Sequence, residues 1–280
     1  VPTILKAIDY DLENTVFSYI PNTAETSFLG MMEGMEEHLA KRQLKELRSA
    51  REDDHALEKL LSFRPRVEKL VIKDAKLRTF ITDDAHRDDL VAHVYDTMYE
   101  VIKKKVDTVV VIDDSIVRGT TLEKSILRML DRLEPKKIII VSSAPQIRFP
   151  DCYGIDMSKM KDFIAFRAVL ALLKETKQEN ILEEAYQKCL HSDNTENHVK
   201  DVFAPFTYEQ ISRKIAELVK IDTIEAEVEV IYQTVEDLHK ASPEHLGDWY
   251  FTGDFPTQGG NRVVNKAFVN FMEGKEVRAY

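Results

Sequence analysis

Two adjacent carboxylates, Asp113 and Asp114, close an apolar run, and a short loop of small residues follows them. The run Val109–Ile112 is continuous and β-branched, which is typical of a strand buried on both faces of a parallel sheet. Two neighbouring carboxylates at the end of such a strand repel each other and lose hydration unless a ligand or a cation uses them. We therefore interpret Asp113 and Asp114 as binding residues, and the chain's other three Asp-Asp pairs as solvated surface.

The loop after this pair, Ser115–Thr121, has the composition of an anion-binding segment. Small hydroxyl residues and one glycine that lead into a helix present N–H groups and hydroxyls to an anion such as phosphate. Together with the carboxylates they match a ligand that has hydroxyls at one end and a phosphate at the other, as in a ribose 5-phosphate. The chain contains neither G-x-x-x-x-G-K-[ST] nor G-x-G-x-x-G, which argues against those nucleotide-binding classes.

Strand and helix patterns alternate along the first half of the chain. Apolar residues at helical spacing from Leu122 to Leu133 separate the first run from a second buried run, Ile138–Val141. Thr15–Ile20 predicts another strand, which a long helix from Glu25 to Arg51 follows, and Val67–Ile72 is a fourth strand candidate. This order predicts an α/β fold with a doubly wound, mostly parallel sheet, which binds ligands at the carboxyl ends of its strands.

The second half of the chain is mainly helical in pattern. Helices are predicted at Phe163–Lys174, Ile181–Leu190 and Tyr208–Val219, with a linker or exposed loop at His191–His198. A helix or strand is expected around Val228–Leu238. The last residues have the composition of a turn-rich tail, with glycines at Gly247, Gly253, Gly259 and Gly260. We predict a core domain at 1–160 and a helical C-terminal extension with its tail at 161–280, packed on the core.

Composition excludes several classes of protein. Of 280 residues, 39 are lysine or arginine and 49 are aspartate or glutamate, and the net charge of −10 argues against a general nucleic-acid or acidic-lipid binder. No apolar run approaches the ~18 residues that a membrane-spanning helix needs. Two cysteines, Cys152 and Cys189, are too few for a disulfide framework and indicate a reducing compartment, with the cytoplasm expected.

The segment VVVIDDSIVRGTT, Val109–Thr121, resembles the phosphoribosyl pyrophosphate signature of type I phosphoribosyltransferases. Its full form, DDSIVRGTT, is similar to the version found in the amidophosphoribosyltransferase family. Three further segments occur in that family's order: Arg78–Ile81, Ser143–Met157 and Phe251–Gly253. The resemblance covers the chain from about Thr15 to Met157 and thins to scattered matches beyond.

The resemblance implies a type I phosphoribosyltransferase fold and an enzyme at the entry to purine synthesis. Such an enzyme displaces pyrophosphate from phosphoribosyl pyrophosphate with ammonia, taken from glutamine in the full protein, and gives 5-phosphoribosylamine. Asp113 and Asp114 would bind the ribose hydroxyls and Mg²⁺, and Arg78 would begin a catalytic loop that closes over the substrate. The 5-phosphate would lie on Ser115, Ile116, Val117, Arg118, Gly119, Thr120 and Thr121, and the pyrophosphate on Asn22, Thr23 and Ala24.

The chain departs from the family's pattern at three places. Nothing corresponds to the catalytic N-terminal cysteine of the glutaminase half, so we expect this chain to use ammonia, with the glutaminase domain upstream in the full protein. The positions of the iron–sulfur ligands of some members read Asp151, Gly247 and Tyr250, so no cluster is expected. The lid segment Thr82–Asp89 is acidic where relatives are basic or neutral, which is unfavourable over a polyanion unless Mg²⁺ bridges the two.

Two alternatives to the enzyme stay open. A non-catalytic regulatory protein that binds phosphoribosyl pyrophosphate would have the same acidic pair and phosphate loop, and the altered lid favours it. A phosphoribosyltransferase that salvages bases is a further option, although such enzymes are usually shorter and lack the Ser143–Met157 segment. We expect a homo-oligomer, with no nucleic-acid or membrane partner.

Overall fold

The computed structural model describes residues 1–21, 23–47, 54–73, 95–97, 101–152, 157–245 and 247–279. The chain divides into two compact units. Unit 1 comprises residues 1–114, 124–141 and 224–231, and unit 2 comprises residues 115–123, 142–223 and 232–280.

The central element of unit 1 is a five-stranded sheet. The described residues contain the strands β1 (Thr15–Tyr19), β2 (Arg66–Val67), β3 (Val71–Lys73), β4 (Tyr95–Thr97), β5 (Thr108–Asp113), β6 (Lys137–Ser142) and β7 (Glu227–Tyr232). Five of them form the sheet in the order β2-β1-β5-β6-β7, and β3 pairs with β4 in a separate antiparallel ribbon. β1 runs parallel to both β2 and β5. The N–H of Lys136 donates to the Asp107 carbonyl (2.9 Å) and the N–H of Glu227 to the Lys136 carbonyl (3.3 Å), so β5, β6 and β7 also start side by side.

Helices cover this sheet, which confirms the predicted doubly wound parallel architecture with flanking helices. In unit 1 they are α1 (Pro2–Ala7), α2 (Glu25–Leu47), α3 (Asp54–Ser62) and α4 (Leu127–Asp131), the last preceded by a π-helical turn at Leu122–Ile126. One face of α2 buries Phe28, Met31, Met35 and Leu39 in a cluster with the sheet residues Phe17, Val110, Ile112, Ile139 and Val141. Val109 and Val111, which point to the opposite face, are also fully buried. Both faces are therefore covered, as an all-parallel sheet requires.

The predicted strand at Val67–Ile72 is two separate strands. β2 ends at Val67 and β3 begins at Val71, and the two belong to different sheets. Between them the N–H of Leu70 donates to the buried Ser18 hydroxyl (3.1 Å). This bond holds the connecting segment against β1, and the apolar pattern continues through it because Leu70 is itself buried.

The strand order contains one topological switch point, between β1 and β5. From β1 the chain goes to β2 on one side of the sheet, and later fills the other side with β5, β6 and β7. Connections that leave two neighbouring parallel strands in opposite directions open a crevice outside their carboxyl ends, where such sheets bind ligands. β5 ends at Asp113, and the loop after β1 begins at Ile20. The fold of unit 1 thus places both predicted binding segments of that unit at the switch point.

Unit 2 is helical. Its helices are a 3-10 turn at Met160–Asp162, α5 (Ile164–Glu175), α6 (Asn180–Leu190), α7 (Lys200–Phe203), α8 (Tyr208–Val219), α9 (Val235–Ala241), α10 (Trp249–Thr252) and α11 (Gln258–Met272). Phe166 is fully buried at the centre, with its ring edge-on to those of Phe268 and Phe271. A capping box begins α8, since the Thr207 hydroxyl accepts from the Gln210 N–H and the Gln210 amide oxygen accepts from the Thr207 N–H. The three predicted helices of this region are confirmed.

One expectation for the second half differs from the structure. The glycines Gly259 and Gly260 lie in the first turn of α11, so the predicted turn-rich tail was wrong over that stretch. The segment 191–198 is a loop with several exposed residues, as predicted, and side chains of α11 hold it: Asn265 donates to the Glu196 carbonyl and Asn261 to the Thr195 carbonyl. The predicted domain boundary at 160/161 stays a prediction; β7 joins the sheet of unit 1 from a position far along the chain.

None of the described helices has both the length and the apolarity needed to cross a lipid bilayer.

Candidate functional site

Asp113 and Asp114 lie where β5 leaves the sheet. The strand above them, Val109–Ile112, is buried, whereas Asp113 is half-buried and Asp114 is exposed. The N–H of Asp114 donates to the Asp113 carboxylate oxygen Oδ1 at 2.9 Å. This bond satisfies one carboxylate oxygen and fixes the direction in which the chain leaves the strand. The acidic pair therefore stands at the rim of the switch-point crevice, on a rigid strand end.

The loop after β1 lies at the same edge of the sheet. Tyr19 pairs with Ile112 across the two strands, and the N–H of Ile20 donates to the Ile112 carbonyl at 2.9 Å. Thr23 is exposed there, in front of α2. The side chain of Ala24 is 1% exposed within the core, and its carbonyl accepts the Phe28 N–H (2.9 Å), so its side chain is turned away from any ligand.

Tyr19 is tied to the first turn of α2. Its hydroxyl donates to the Glu25 carboxylate (3.1 Å), and its ring lies 5.0 Å from that of Phe28. Partial burial, followed by the hydrogen bond to Glu25 and then its charge, raises the pKa of Tyr19 above its ordinary value. Tyr19 thus remains a neutral donor at neutral pH and keeps the end of β1 in register with the helix that follows.

The Ser115–Thr121 loop, in unit 2, carries N–H groups without acceptors. Among the described residues, no group accepts a hydrogen bond from the backbone N–H of Ser115, Ile116, Val117, Gly119, Thr120 or Thr121. Helical structure begins at Thr120, and the Gly119 carbonyl accepts the first helical bond, from the N–H of Glu123 (3.0 Å). Orphan N–H groups at a helix start can bind an anion, and the role of this loop as a phosphate site stays a prediction.

Gly119 adopts a left-handed conformation that this loop needs, with φ at +74°. A Cβ at this position would lie 3.2 Å from side-chain carbons of Ile164 and of Val219. The glycine is therefore required for two reasons, its backbone angle and the close packing of the loop on α5 and α8.

The same loop is held by the segment that begins α5. The N–H of Ile164 donates to the Val117 carbonyl at 2.8 Å, and the Arg118 guanidinium lies 3.8 Å from the Asp162 carboxylate. Arg167 reaches the Arg118 carbonyl at 3.5 Å. Sequence reasoning did not identify Asp162 or Arg167 as partners of the loop, because they are separated from it by more than forty residues and no spacing signals the contact.

Arg148 is a buried cation that follows the carboxyl end of β6. Its side chain is 9% exposed, its Nε and Nη2 donate to the Gln146 amide oxygen (3.1 and 2.7 Å), and the Tyr208 ring lies 3.8 Å from the guanidinium carbon. Burial lowers the pKa of Arg148 from its ordinary value. Contact with the ring face stabilises the desolvated charge, so Arg148 pins this segment to the start of α8.

Several predicted site residues lie outside the described residues. These are Arg78, Asn22, the acidic segment Thr82–Asp89, and positions 153–156 of the Ser143–Met157 segment. Their predicted roles stay predictions.

Cys152 and Cys189 are not joined in a disulfide, and Cys189 is not placed as a nucleophile. Cys189 is 8% exposed and contacts the Asn265 amide oxygen at 3.5 Å. Burial, with a smaller contribution from the charge of Asp201, raises the pKa of the Cys189 thiol to about 12. A thiol that stays protonated at neutral pH is a poor nucleophile.

The donor set fits a magnesium ion that is shared with a substrate. Within the described ranges, no group of three or more His, Cys, Asp or Glu side chains could hold a metal ion alone. Mg²⁺ commonly takes only one or two protein carboxylates and completes its coordination with waters and substrate phosphates. Asp113 and Asp114 supply such carboxylates at the crevice, so Mg²⁺ would be held there with the substrate's own oxygens.

Comparison with known proteins confirms the resemblance seen in the signature. The chain is 43% identical over 90 residues to an amidophosphoribosyltransferase from Haemophilus influenzae, covering 32% of this chain and 17% of the relative. An amidophosphoribosyltransferase from Escherichia coli is 51% identical over 57 residues, 20% of this chain and 11% of the relative. One from Lachancea kluyveri is 30% identical over 135 residues, 44% of this chain and 26% of the relative. The matches thus span between about a tenth and a quarter of the relatives' length, and no family model matches the chain.

Among solved structures, the chain is similar to a glutamine phosphoribosylpyrophosphate amidotransferase from B. subtilis complexed with ADP and GMP. The TM-score is 0.46 at 21% sequence identity, with 87% of this chain and 38% of that chain covered.

Proposed function

We propose that this chain is the phosphoribosyltransferase part of an amidophosphoribosyltransferase. It would displace pyrophosphate from 5-phosphoribosyl 1-pyrophosphate with ammonia and give 5-phosphoribosylamine. The observation that carries the proposal is the acidic pair at the end of β5, at the switch point of the sheet, with the N–H-rich loop as the next residues of the chain. The curated relatives, which all bear that enzyme's name, support it.

Different residues would bind different parts of the substrate, according to their charge and hydrogen-bonding groups. The carboxylates of Asp113 and Asp114 would accept hydrogen bonds from the two ribose hydroxyls, which are neutral donors. The orphan N–H groups of Ser115–Thr121 would bind the 5-phosphate. The N-terminus of α2, with Thr23 exposed in front of it, would bind the pyrophosphate through its N–H groups and helix dipole.

The reaction needs no protein nucleophile. The lone pair of ammonia forms the new bond to the anomeric carbon while the bond to the pyrophosphate oxygen breaks, and the ammonium product loses a proton to solvent. Positive charge develops on the ring in the transition state, so the carboxylates of Asp113 and Asp114 stabilise it at the hydroxyl side. Bound Mg²⁺ would neutralise charge on the departing pyrophosphate. Fixing the sugar at both ends holds the anomeric carbon in place for attack.

The proposal also includes the partners of the chain, its cofactors and its cellular compartment. In the full protein, a glutaminase domain would supply the ammonia, and the chain would assemble as a homo-oligomer in the cytoplasm without an iron–sulfur cluster. The low cysteine content of the sequence supports a reducing compartment.

A second candidate function is supported by the acidic segment Thr82–Asp89. A regulatory protein that binds phosphoribosyl pyrophosphate without turnover would need the acidic pair and the phosphate loop but no lid that attracts the polyanion.

An assay of pyrophosphate release by the purified chain tests both candidate functions. The assay contains phosphoribosyl pyrophosphate and Mg²⁺ with either ammonia or glutamine, and compares the wild type with Asp113→Asn. Asp222→Asn is the matched control, since Asp222 is exposed and lies apart from the signature. Release with ammonia and not with glutamine, lost in Asp113→Asn and kept in Asp222→Asn, would establish the transferase. Magnesium-dependent binding without release would favour the regulatory protein, and absence of binding would contradict both.

A further inference from the structure

The phosphate loop is attached to unit 2 through its carbonyl groups. Two successive carbonyls, those of Val117 and Arg118, face the N-terminal turns of α5: the first accepts the Ile164 N–H at 2.8 Å, and the second lies 3.5 Å from Nη1 of Arg167. Donors therefore lie on one side of this stretch of the loop.

The direction of these carbonyls determines the direction of the neighbouring N–H groups. In a trans peptide, the C=O of one residue and the N–H of the next point in opposite directions. The Arg118 carbonyl points towards Arg167, so the N–H of Gly119 points away from α5. That N–H has no acceptor among the described residues.

The Arg167 guanidinium is placed to donate to the Arg118 carbonyl. Its side chain is half-buried, and no carboxylate of the described chain lies within ion-pair distance of its guanidinium. The Arg118 carbonyl is its hydrogen-bond acceptor. Asp162, two residues before α5 begins, lies 3.8 Å from the Arg118 guanidinium. The start of α5 thus contacts Arg118 at both its backbone and its side chain.

We propose that Arg167 is a positioning residue of the phosphate loop, which fixes the Arg118–Gly119 peptide so that the Gly119 N–H faces a bound phosphate. Arg167 acts through the backbone carbonyl and does not touch the substrate. The inference rests on the proposed function, because the phosphate in question is the 5-phosphate of the sugar. It adds a residue far along the chain to the site that the signature defines.

Two probes separate this role from a general structural one. Ribose 5-phosphate carries the phosphate that the loop binds, whereas magnesium pyrophosphate occupies the other end of the proposed site. Binding of each to the whole chain is measured by calorimetry for wild type, Arg167→Met and Arg213→Met. Arg213 is the matched control, because it is an exposed arginine on α8 of the same unit. Melting temperature and circular dichroism check that each variant folds.

We expect Arg167→Met to bind ribose 5-phosphate about 5- to 10-fold more weakly, roughly the net worth of one oriented hydrogen bond. Its affinity for magnesium pyrophosphate, and both affinities of Arg213→Met, should match the wild type. In the release assay, KM for phosphoribosyl pyrophosphate should rise while kcat changes less. If Arg167→Met does not fold, Arg167→Gln, whose shorter side chain cannot reach the carbonyl, is read in the same way.

Other outcomes have distinct meanings. If the wild type binds ribose 5-phosphate and the Arg167 variant binds it equally well, the inference is wrong and the proposed function stands. Equal weakening of both probes would also overturn it, because the effect would then be structural. If the wild type binds neither probe, the proposed function fails and the loop has no phosphate to position.

Discussion

Gly119 packs directly on Ile164. A Cβ built on this glycine would lie 3.2 Å from both Cδ1 and Cγ1 of Ile164, and the backbone there has φ at +74°. A side chain at Gly119 would therefore first meet the apolar side chains of Ile164 and Val219.

Gly119→Ala should therefore destabilise the protein more than backbone strain alone explains. A left-handed alanine costs about 1–2 kcal/mol, and forced packing adds about 1–3 kcal/mol. Gly274→Ala is the matched control, because Gly274 has φ at +66° and nothing within 4 Å of a built Cβ. Urea unfolding should show a larger loss for Gly119→Ala than for Gly274→Ala; equal losses would mean that the Ile164 contact relaxes freely.

Asp113→Asn and Asp114→Asn should each weaken magnesium-dependent binding of phosphoribosyl pyrophosphate. Loss of a charge-assisted hydrogen bond to a ribose hydroxyl costs about 1–3 kcal/mol. Titration calorimetry with and without Mg²⁺ measures the effect, and Asp222→Asn serves as the control. Unchanged affinity in both variants would mean that Asp113 and Asp114 do not bind phosphoribosyl pyrophosphate.

The sheet could be predicted from the sequence because its central strands have a simple local signature. Val109–Ile112 and Ile138–Val141 are continuous β-branched runs, and only burial on both faces tolerates such runs. The acidic pair was identified for the same reason, since a charged pair directly after a buried strand requires an explanation.

Features that depend on distant packing were not predictable. Gly259 and Gly260 indicated turns, yet both lie in α11, and a Cβ at Gly260 would be 2.5 Å from Cδ1 of Phe255. Gly260 is a glycine because the Phe255 side chain packs closely against it, and not because the chain turns there. Likewise Arg167 meets Arg118 only because α5 folds back on the loop, across 49 residues of chain.

Asp107 should be a large contributor to stability at the amino end of β5. Its side chain is fully buried, and its Oδ2 accepts from Arg66 (2.7 Å) and from the Lys103 N–H (2.7 Å). Asp107→Ala leaves the Arg66 charge without its partner; this costs about 3–5 kcal/mol for a fully buried pair, and less here because the Arg66 side chain is 28% exposed. Glu13→Gln, which breaks the exposed Lys59–Glu13 pair, should cost less than about 1 kcal/mol. Similar losses in urea unfolding would contradict the assignment.

Cys189 should make the protein less stable as the pH rises above 9. Its pKa increases from an ordinary 9.0 to about 12 in the fold, chiefly through burial. Above pH 9 the unfolded chain loses this proton while the folded chain keeps it, so the folded state binds more protons and its stability falls with pH, by up to about 1.4 kcal/mol per pH unit. Below pH 9 both states hold the proton and the effect vanishes.

Replacing the Cys189 thiol separates its effect on the pH dependence of stability from the effects of lysines and tyrosines that titrate in the same pH range. Cys189→Ala should lose stability at all pH values through the cavity it leaves, but its free energy of unfolding should fall less steeply than the wild type's between about pH 9 and about pH 10.5. Urea unfolding at a series of pH values measures the two slopes. Parallel slopes would show that the Cys189 thiol ionises as readily in the folded protein as in the unfolded chain, which would be incompatible with its burial against α11.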